Sequence, residues 1–223
     1  MRERRHLLLL ISMLLLFVIG PFIVTFRHGV LFLNVLGAAI LVAGSYALSE
    51  RKQLFRTAVV LSAISTIGAC LPLAFPQHWA VLASHSSVIL LAAFFCVSIL
   101  AYVLHSGRVT SDKIFAAICV YLLLGFVWTY TYALLDDMQP GSFADSTETG
   151  RTDDVAHVSQ LRYFSFATLT TLGYGDILPR SSTARTMAVL EAVMGQIYLA
   201  VLVARLVGLH IVHANRSQSR DED

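Results

Sequence analysis

Val158-Ser159-Gln160-Leu161-Arg162-Tyr163-Phe164-Ser165-Phe166-Ala167-Thr168-Leu169-Thr170, followed by Thr171-Leu172-Gly173-Tyr174-Gly175-Asp176-Ile177-Leu178-Pro179, is an apolar run that starts like a membrane helix and then stops. As a helix, residues 158–170 reach only about 20 Å, against a hydrocarbon core of about 30 Å. Such a helix enters the bilayer and ends inside it. Backbone that leaves helical geometry at that depth survives only where it is buried in protein or lines water, so the chain after Thr170 is expected to face an aqueous or ion-filled path. Gly173 and Gly175, one residue apart, permit left-handed dihedrals without a Cβ penalty, and alternating hands can turn successive carbonyls to one side. A row of carbonyl oxygens is a neutral, hard ligand set that can replace the water shell of an alkali cation without trapping it. Alone, Gly-x-Gly-Asp would read as a surface turn. A half-length helix before it and a full-length apolar run after it favour the re-entrant reading.

The rest of the chain agrees with a membrane setting. Of 223 residues, 57% are apolar and 13% charged, which excludes an ordinary water-soluble domain. Residues 7–26, 29–49, 57–75, 79–104 and 114–135 contain no Asp, Glu, Lys or Arg, and a sixth apolar run at 186–204 contains one acid, Glu191. The fold class expected is therefore an all-α membrane protein with six transmembrane helices plus a re-entrant pore helix. Arg2, Arg4 and Arg5, then Arg51, Lys52 and Arg56, then Arg108 and Lys113 lie in alternate short loops, which places those loops and both termini in the cytoplasm. With a net charge of +2 and scattered cations, no nucleic-acid-binding face is expected. Cys70, Cys96 and Cys119 lie inside apolar runs without metal-ligand spacing and read as small apolar side chains.

Residues 136–157 interrupt the pattern. Asp136, Asp137, Asp145, Glu148, Asp153 and Asp154 stand there against Arg151 alone, and the orientation puts them outside the cell. The segment reads either as a solvated loop or as a feature that concentrates cations beside the re-entrant segment.

The residues Thr170-Thr171-Leu172-Gly173-Tyr174-Gly175-Asp176 resemble the T-T-V-G-Y-G-D signature of potassium channels, and the order of span, re-entrant helix, filter and span is similar to their pore domain over about residues 114–212. The resemblance implies an outer helix at 114–135, an acidic extracellular loop at 136–157, a pore helix at 158–170, a filter at 171–175 and an inner helix at 184–212. A four-helix region at 1–110 precedes this domain of 111–212, and a short cytoplasmic tail at 213–223 follows it. It further implies that the carbonyls of Thr171, Leu172, Gly173 and Tyr174, with the Thr171 hydroxyl, line the conduction path. Gly175 would free the chain at the outer mouth, and Thr170, Asp176, Tyr163 and Phe164 would support the filter. One filter per chain cannot enclose an ion, so the resemblance implies a homotetramer in a multi-pass bacterial plasma membrane, in contact with lipids. Potassium is the transported species, with no cofactor and no other metal. Gly195, about twenty residues past the filter, stands where the family often has a hinge, although simple close packing of the helix is the favoured explanation.

Several positions depart from the family pattern. Leu172 replaces the usual Val, which keeps the carbonyl ligand and leaves strict selectivity open, so a cation channel of relaxed selectivity is the alternative. The paired tryptophans of the family's pore helix are here Tyr163 and Phe164, and Ala167 stands where some members carry an acid. Glu191 could supply that carboxylate from the last span or pair with Arg185, because an intramembrane acid needs a partner. Arg205 is expected near the inner mouth. Residues 79–104 contain no arginine, and moving one charge through the field supplies only about 2.3 kcal/mol per 100 mV, so voltage gating through the first four spans is not expected. His-Glu-x-x-His, Gly-x-Ser-x-Gly and paired intramembrane aspartates are all missing, which argues against an enzyme. A regulatory channel subunit remains a further alternative.

Overall fold

The computed structural model describes residues 5–23, 29–49, 51–75, 77–105, 110–145 and 154–221. Long apolar stretches form the helices α1 (Arg5–Ile23), α2 (Gly29–Ala47), α3 (Lys52–Ala74), α4 (His78–Leu104) and α5 (Ser111–Met138), with Pro72 inside α3. A short strand β1 (Phe143–Asp145), the helix α6 (Asp154–Leu169), a strand β2 (Ile177–Pro179) and the long helix α7 (Ser182–Asp221) complete the chain. Among the described residues, four segments are long and apolar enough to cross a membrane, at Lys52–Pro72, His78–Leu104, Ser111–Met138 and Ser182–Arg205. α1 and α2 are apolar helices of 19 residues each.

α5 is the central element. It packs against α1, α4, α6 and α7, while α3 packs on α4 and α2 on α1. At one end of this assembly lies an apolar cluster in which Leu9 and Met13 of α1 and Leu91, Phe95 and Ile99 of α4 meet Ala116, Val120 and Leu123 of α5. Helix starts follow local chemistry. Thr110 caps α5 by accepting from Lys113 N, which satisfies one of the amides that a helix start leaves unpaired.

The bounds of three helices differ from the sequence reading. The outer helix runs to Met138 rather than 135, because Asp136 and Asp137 are buried against neighbours and do not start a loop. The pore helix is Asp154–Leu169 rather than 158–170. The inner helix begins at Ser182 and its backbone stays helical to Asp221, so the segment expected as a tail from 213 continues α7. Residues 206–221 contain no proline to stop it, and loss of hydrophobicity alone does not end a helix. The strands were not expected. β1 pairs antiparallel with β2 in the register Phe143↔Pro179, Ala144↔Leu178 and Asp145↔Ile177.

Arg2, Arg4, Arg27, Arg108, Glu148, Arg151 and Asp153 lie outside the described residues, as do the side chains of Asp145, Asp154, His210 and His213.

Candidate pore and selectivity filter

α6 ends at Leu169 because the chain changes hand. Thr171, Gly173 and Gly175 take φ of 57°, 55° and 77°, while the intervening Leu172 and Tyr174 do not. Glycine adopts such angles freely. Thr171 is β-branched and pays a steric cost there, which the surrounding structure must overcome. The segment is anchored at its base by α6 itself. Leu172 N and Gly173 N both donate to Ala167 O, at 2.8 and 3.2 Å, and Thr170 Oγ1 donates to Phe166 O at 2.7 Å. The position where some potassium channels carry an acid thus holds an alanine whose carbonyl fixes the first turn of the filter. The C-terminal, partially negative end of the α6 dipole faces this base, which suits a cation. In the single chain, residues 170–175 are exposed, Leu172 at 56% and Tyr174 at 69%. Nothing lies within 4 Å of a Cβ built on Gly173 or Gly175.

At the outer end, Tyr163 and Phe164 face different ways. Tyr163 Oη donates to Asp176 Oδ2 at 2.7 Å, and its ring stacks on Tyr174 at 6.5 Å between centroids with planes 7° apart. The Tyr163 hydroxyl holds the Asp176 carboxyl below the usual carboxylate range, and the same bond pushes the phenol up to about 12. Asp176 Oδ1 also accepts Ile177 N at 3.0 Å, so this side chain ends the filter and starts β2. Phe164 turns away from the filter. It is buried in an aromatic cluster with Tyr132 of α5 and Phe143 of β1, at centroid distances of 5.2 Å to each.

The acids Asp136 and Asp137 were assigned to an extracellular loop, yet both are buried at the end of α5. Asp137 Oδ2 lies 2.9 Å from His85 Nδ1 of α4. Asp136 Oδ2 lies 3.1 Å from His157 Nε2 of α6, and its Oδ1 accepts Ser142 N at 3.0 Å. Ser142 O in turn accepts Arg180 N at 2.7 Å, just past β2. This chain of contacts ties the pore helix, the outer helix and the segment leaving the filter into one frame. The reading of residues 136–157 as one polar loop is corrected for these two acids, which belong to the last turn of α5 and are buried against neighbours.

Glu191 is fully buried on α7. Its Oε2 accepts Tyr132 Oη and its Oε1 lies against Ser165 Oγ, both at 2.6 Å. Arg185 does not pair with it; Arg185 Nε donates to Pro179 O at 3.2 Å. The sequence reading missed Tyr132, Ser165 and His157 because nothing in their spacing marks them. Gly195 sits where α7 crosses the end of α6, and a Cβ there would lie 2.5 Å from Leu169 O. α7 runs unbroken through it. At the opposite end, Arg205 Nη2 donates to Leu104 O and His105 O, at 2.5 and 3.1 Å, and so joins α7 to the end of α4.

A short helix, a left-handed alternation after it and a long apolar helix behind it form the candidate pore segment. Residues 114–209 match the family model described as "Ion channel", so this stretch is similar to an ion-channel domain, in keeping with a multi-pass membrane protein. Protein LctB of Bacillus caldotenax is 29% identical over 100 residues, which cover 45% of this chain and 74% of LctB. No solved structure gives a significant match.

Proposed function

We propose that the chain is the subunit of a homotetrameric potassium-selective channel that conducts passively through the backbone carbonyls of Thr171, Leu172, Gly173 and Tyr174. The observation that carries this reading is the alternation of hand at Thr171, Gly173 and Gly175. Alternating hands orient consecutive carbonyls alike, whereas a solvated turn has no reason to hold a β-branched threonine at positive φ. Carbonyl dipoles from four copies would replace the hydration shell of the ion, and the Thr171 hydroxyl would add the innermost ligand. The exposure of residues 170–175 in one chain supports assembly around a shared axis. So does the outer face of α7, where Leu190, Val193, Ile197 and Val201 are each about half exposed. Six crossings with both termini cytoplasmic fit the distribution of Lys and Arg, with the apolar α1 and α2 as the first two. α4 carries no Lys or Arg, so opening is independent of voltage-sensing charges in the first four helices. The cell membrane of a bacterium is the proposed location.

Leu172 favours a second reading, a cation channel of relaxed selectivity, because its flexible side chain replaces a β-branched one behind the carbonyls. Purified protein in liposomes decides between them. Potassium flux should be present in the wild type and abolished by Gly173→Asp, which forces a side chain onto a left-handed residue where four chains converge. A bi-ionic potassium–sodium reversal potential near zero would establish the second reading. Wild-type protein that carries no cation would refute both and leave a regulatory subunit.

A further inference from the structure

Three oxygen–oxygen contacts run in a line behind the filter. Tyr132 Oη meets Glu191 Oε2 at 2.6 Å, Glu191 Oε1 meets Ser165 Oγ at 2.6 Å, and Ser165 Oγ meets Gly125 O at 2.9 Å. Each contact needs one hydrogen. The hydroxyls of Tyr132 and Ser165 carry one each, while a carbonyl and an ionised carboxylate carry none. With Glu191 ionised, Ser165 has a single proton for two acceptors, and one of its contacts would set two oxygens face to face. A protonated Glu191 supplies the missing hydrogen. Tyr132 then donates to Oε2, Oε1–H donates to Ser165, and Ser165 donates to Gly125 O, so that all donors point along one chain and strengthen one another.

We propose that Glu191 is a neutral carboxylic acid that acts as a positioning residue, locking α7 to α5 and α6 and thereby fixing the helix that carries the filter. The proposal rests on the pore-domain reading above. The surroundings agree with it. Glu191 is fully buried, and among the described residues no Lys, Arg or His side chain contacts it. A buried charge without a counter-ion is expensive, whereas a hydrogen-bonded neutral acid is not. The ionisable groups facing it are Tyr132 and, further along α5, Tyr121, and α6 presents only the hydroxyl of Ser165. Gly125 O also accepts Thr129 Oγ1 at 2.7 Å, so the line ends on a well-held carbonyl of α5. A lock made of neutral groups neither attracts nor repels the ions passing in front of it.

Glu191→Gln is the discriminating variant, because an amide can donate to Ser165 through its nitrogen and accept from Tyr132 through its oxygen. Liposome flux of E191Q should stay within about twofold of the wild type, while E191A, which leaves the Tyr132 hydroxyl without its acceptor and Ser165 without the hydrogen it receives, should lose roughly tenfold. Difference infrared spectra of the purified full-length protein, wild type minus E191Q, should contain the deuterium-sensitive carbonyl stretch of a protonated carboxyl group. Absence of that band, or loss of flux in E191Q as large as in E191A, would overturn the proposal. The infrared arm does not need conduction, so failure of the channel reading shows instead as a wild type without flux. If E191A does not fold, the band and E191Q still decide.

Discussion

Replacing Gly195 with alanine separates close packing from hinge bending in the inner helix. A Cβ at this position would lie 2.5 Å from Leu169 O and 2.9 Å from Leu169 Cδ1, whereas ordinary contact begins at 3.4 Å. The helices must therefore part by 3.4 − 2.5 = 0.9 Å at the carbonyl, unless that oxygen can move. It cannot move cheaply, because it belongs to the last residue of α6 and accepts Tyr121 Oη at 3.2 Å. Overpacking of this kind costs about 1–3 kcal/mol, and alanine returns about 1 kcal/mol through helix propensity. The packing reading thus predicts a net destabilisation of up to about 2 kcal/mol. Leu169 directly precedes Thr170 and Thr171, so the displacement is delivered to the base of the filter and should lower potassium over sodium selectivity. Thermal unfolding in detergent measures the first effect and bi-ionic reversal potentials the second. A G195A protein at least as stable as the wild type, with unchanged selectivity and altered opening alone, would refute close packing and restore the hinge.

Tyr163→Phe removes the hydroxyl that holds the Asp176 carboxyl below its usual range. A depressed carboxylate contributes stability that is present above its ordinary pKa and is lost as pH falls through its folded value, so flux in Y163F should fail at a higher external pH than in the wild type; superimposable pH profiles would contradict this. Asp136→Ala removes one of the two acceptors of Ser142 N, leaving Gln139 O, and takes the carboxylate from His157, and should cost about 1–3 kcal/mol in thermal unfolding. An unchanged midpoint would show that the frame around the filter does not depend on it. Arg205→Ala releases two carbonyls at the end of α4, and because the site is exposed the loss should be about 1 kcal/mol or less. Arg205→Lys should recover only part of it, since lysine lacks the planar guanidinium fork; full recovery would argue that charge alone matters. Leu172→Val should leave conduction intact, because the ligand there is the main-chain oxygen, and any effect should appear in the reversal potential.

The short helix and the left-handed glycines after it were legible in the sequence because they rest on backbone rules: the length of the apolar run before Thr170 and the freedom of Gly173 and Gly175. The left-handed Thr171 was not, since no propensity favours a β-branched residue there and only the fold around it can impose that angle. Side-chain partners were legible only in kind. Burial cost alone required that Glu191 have a partner, yet the choice between Arg185 and the hydroxyls of Tyr132 and Ser165 depends on which way α7 faces α5 and α6. The same limit explains the misreading of Asp136 and Asp137. In sequence they open a run of acids, and an acidic run usually means solvent. In space the last turn of α5 carries them to His157 on one side and His85 on the other, where histidines scattered through the chain become their partners. Charge counted along the sequence therefore overstates the field at the outer mouth. Two of the six carboxylates serve as struts that hold the pore helix, the outer helix and the segment before β1 together.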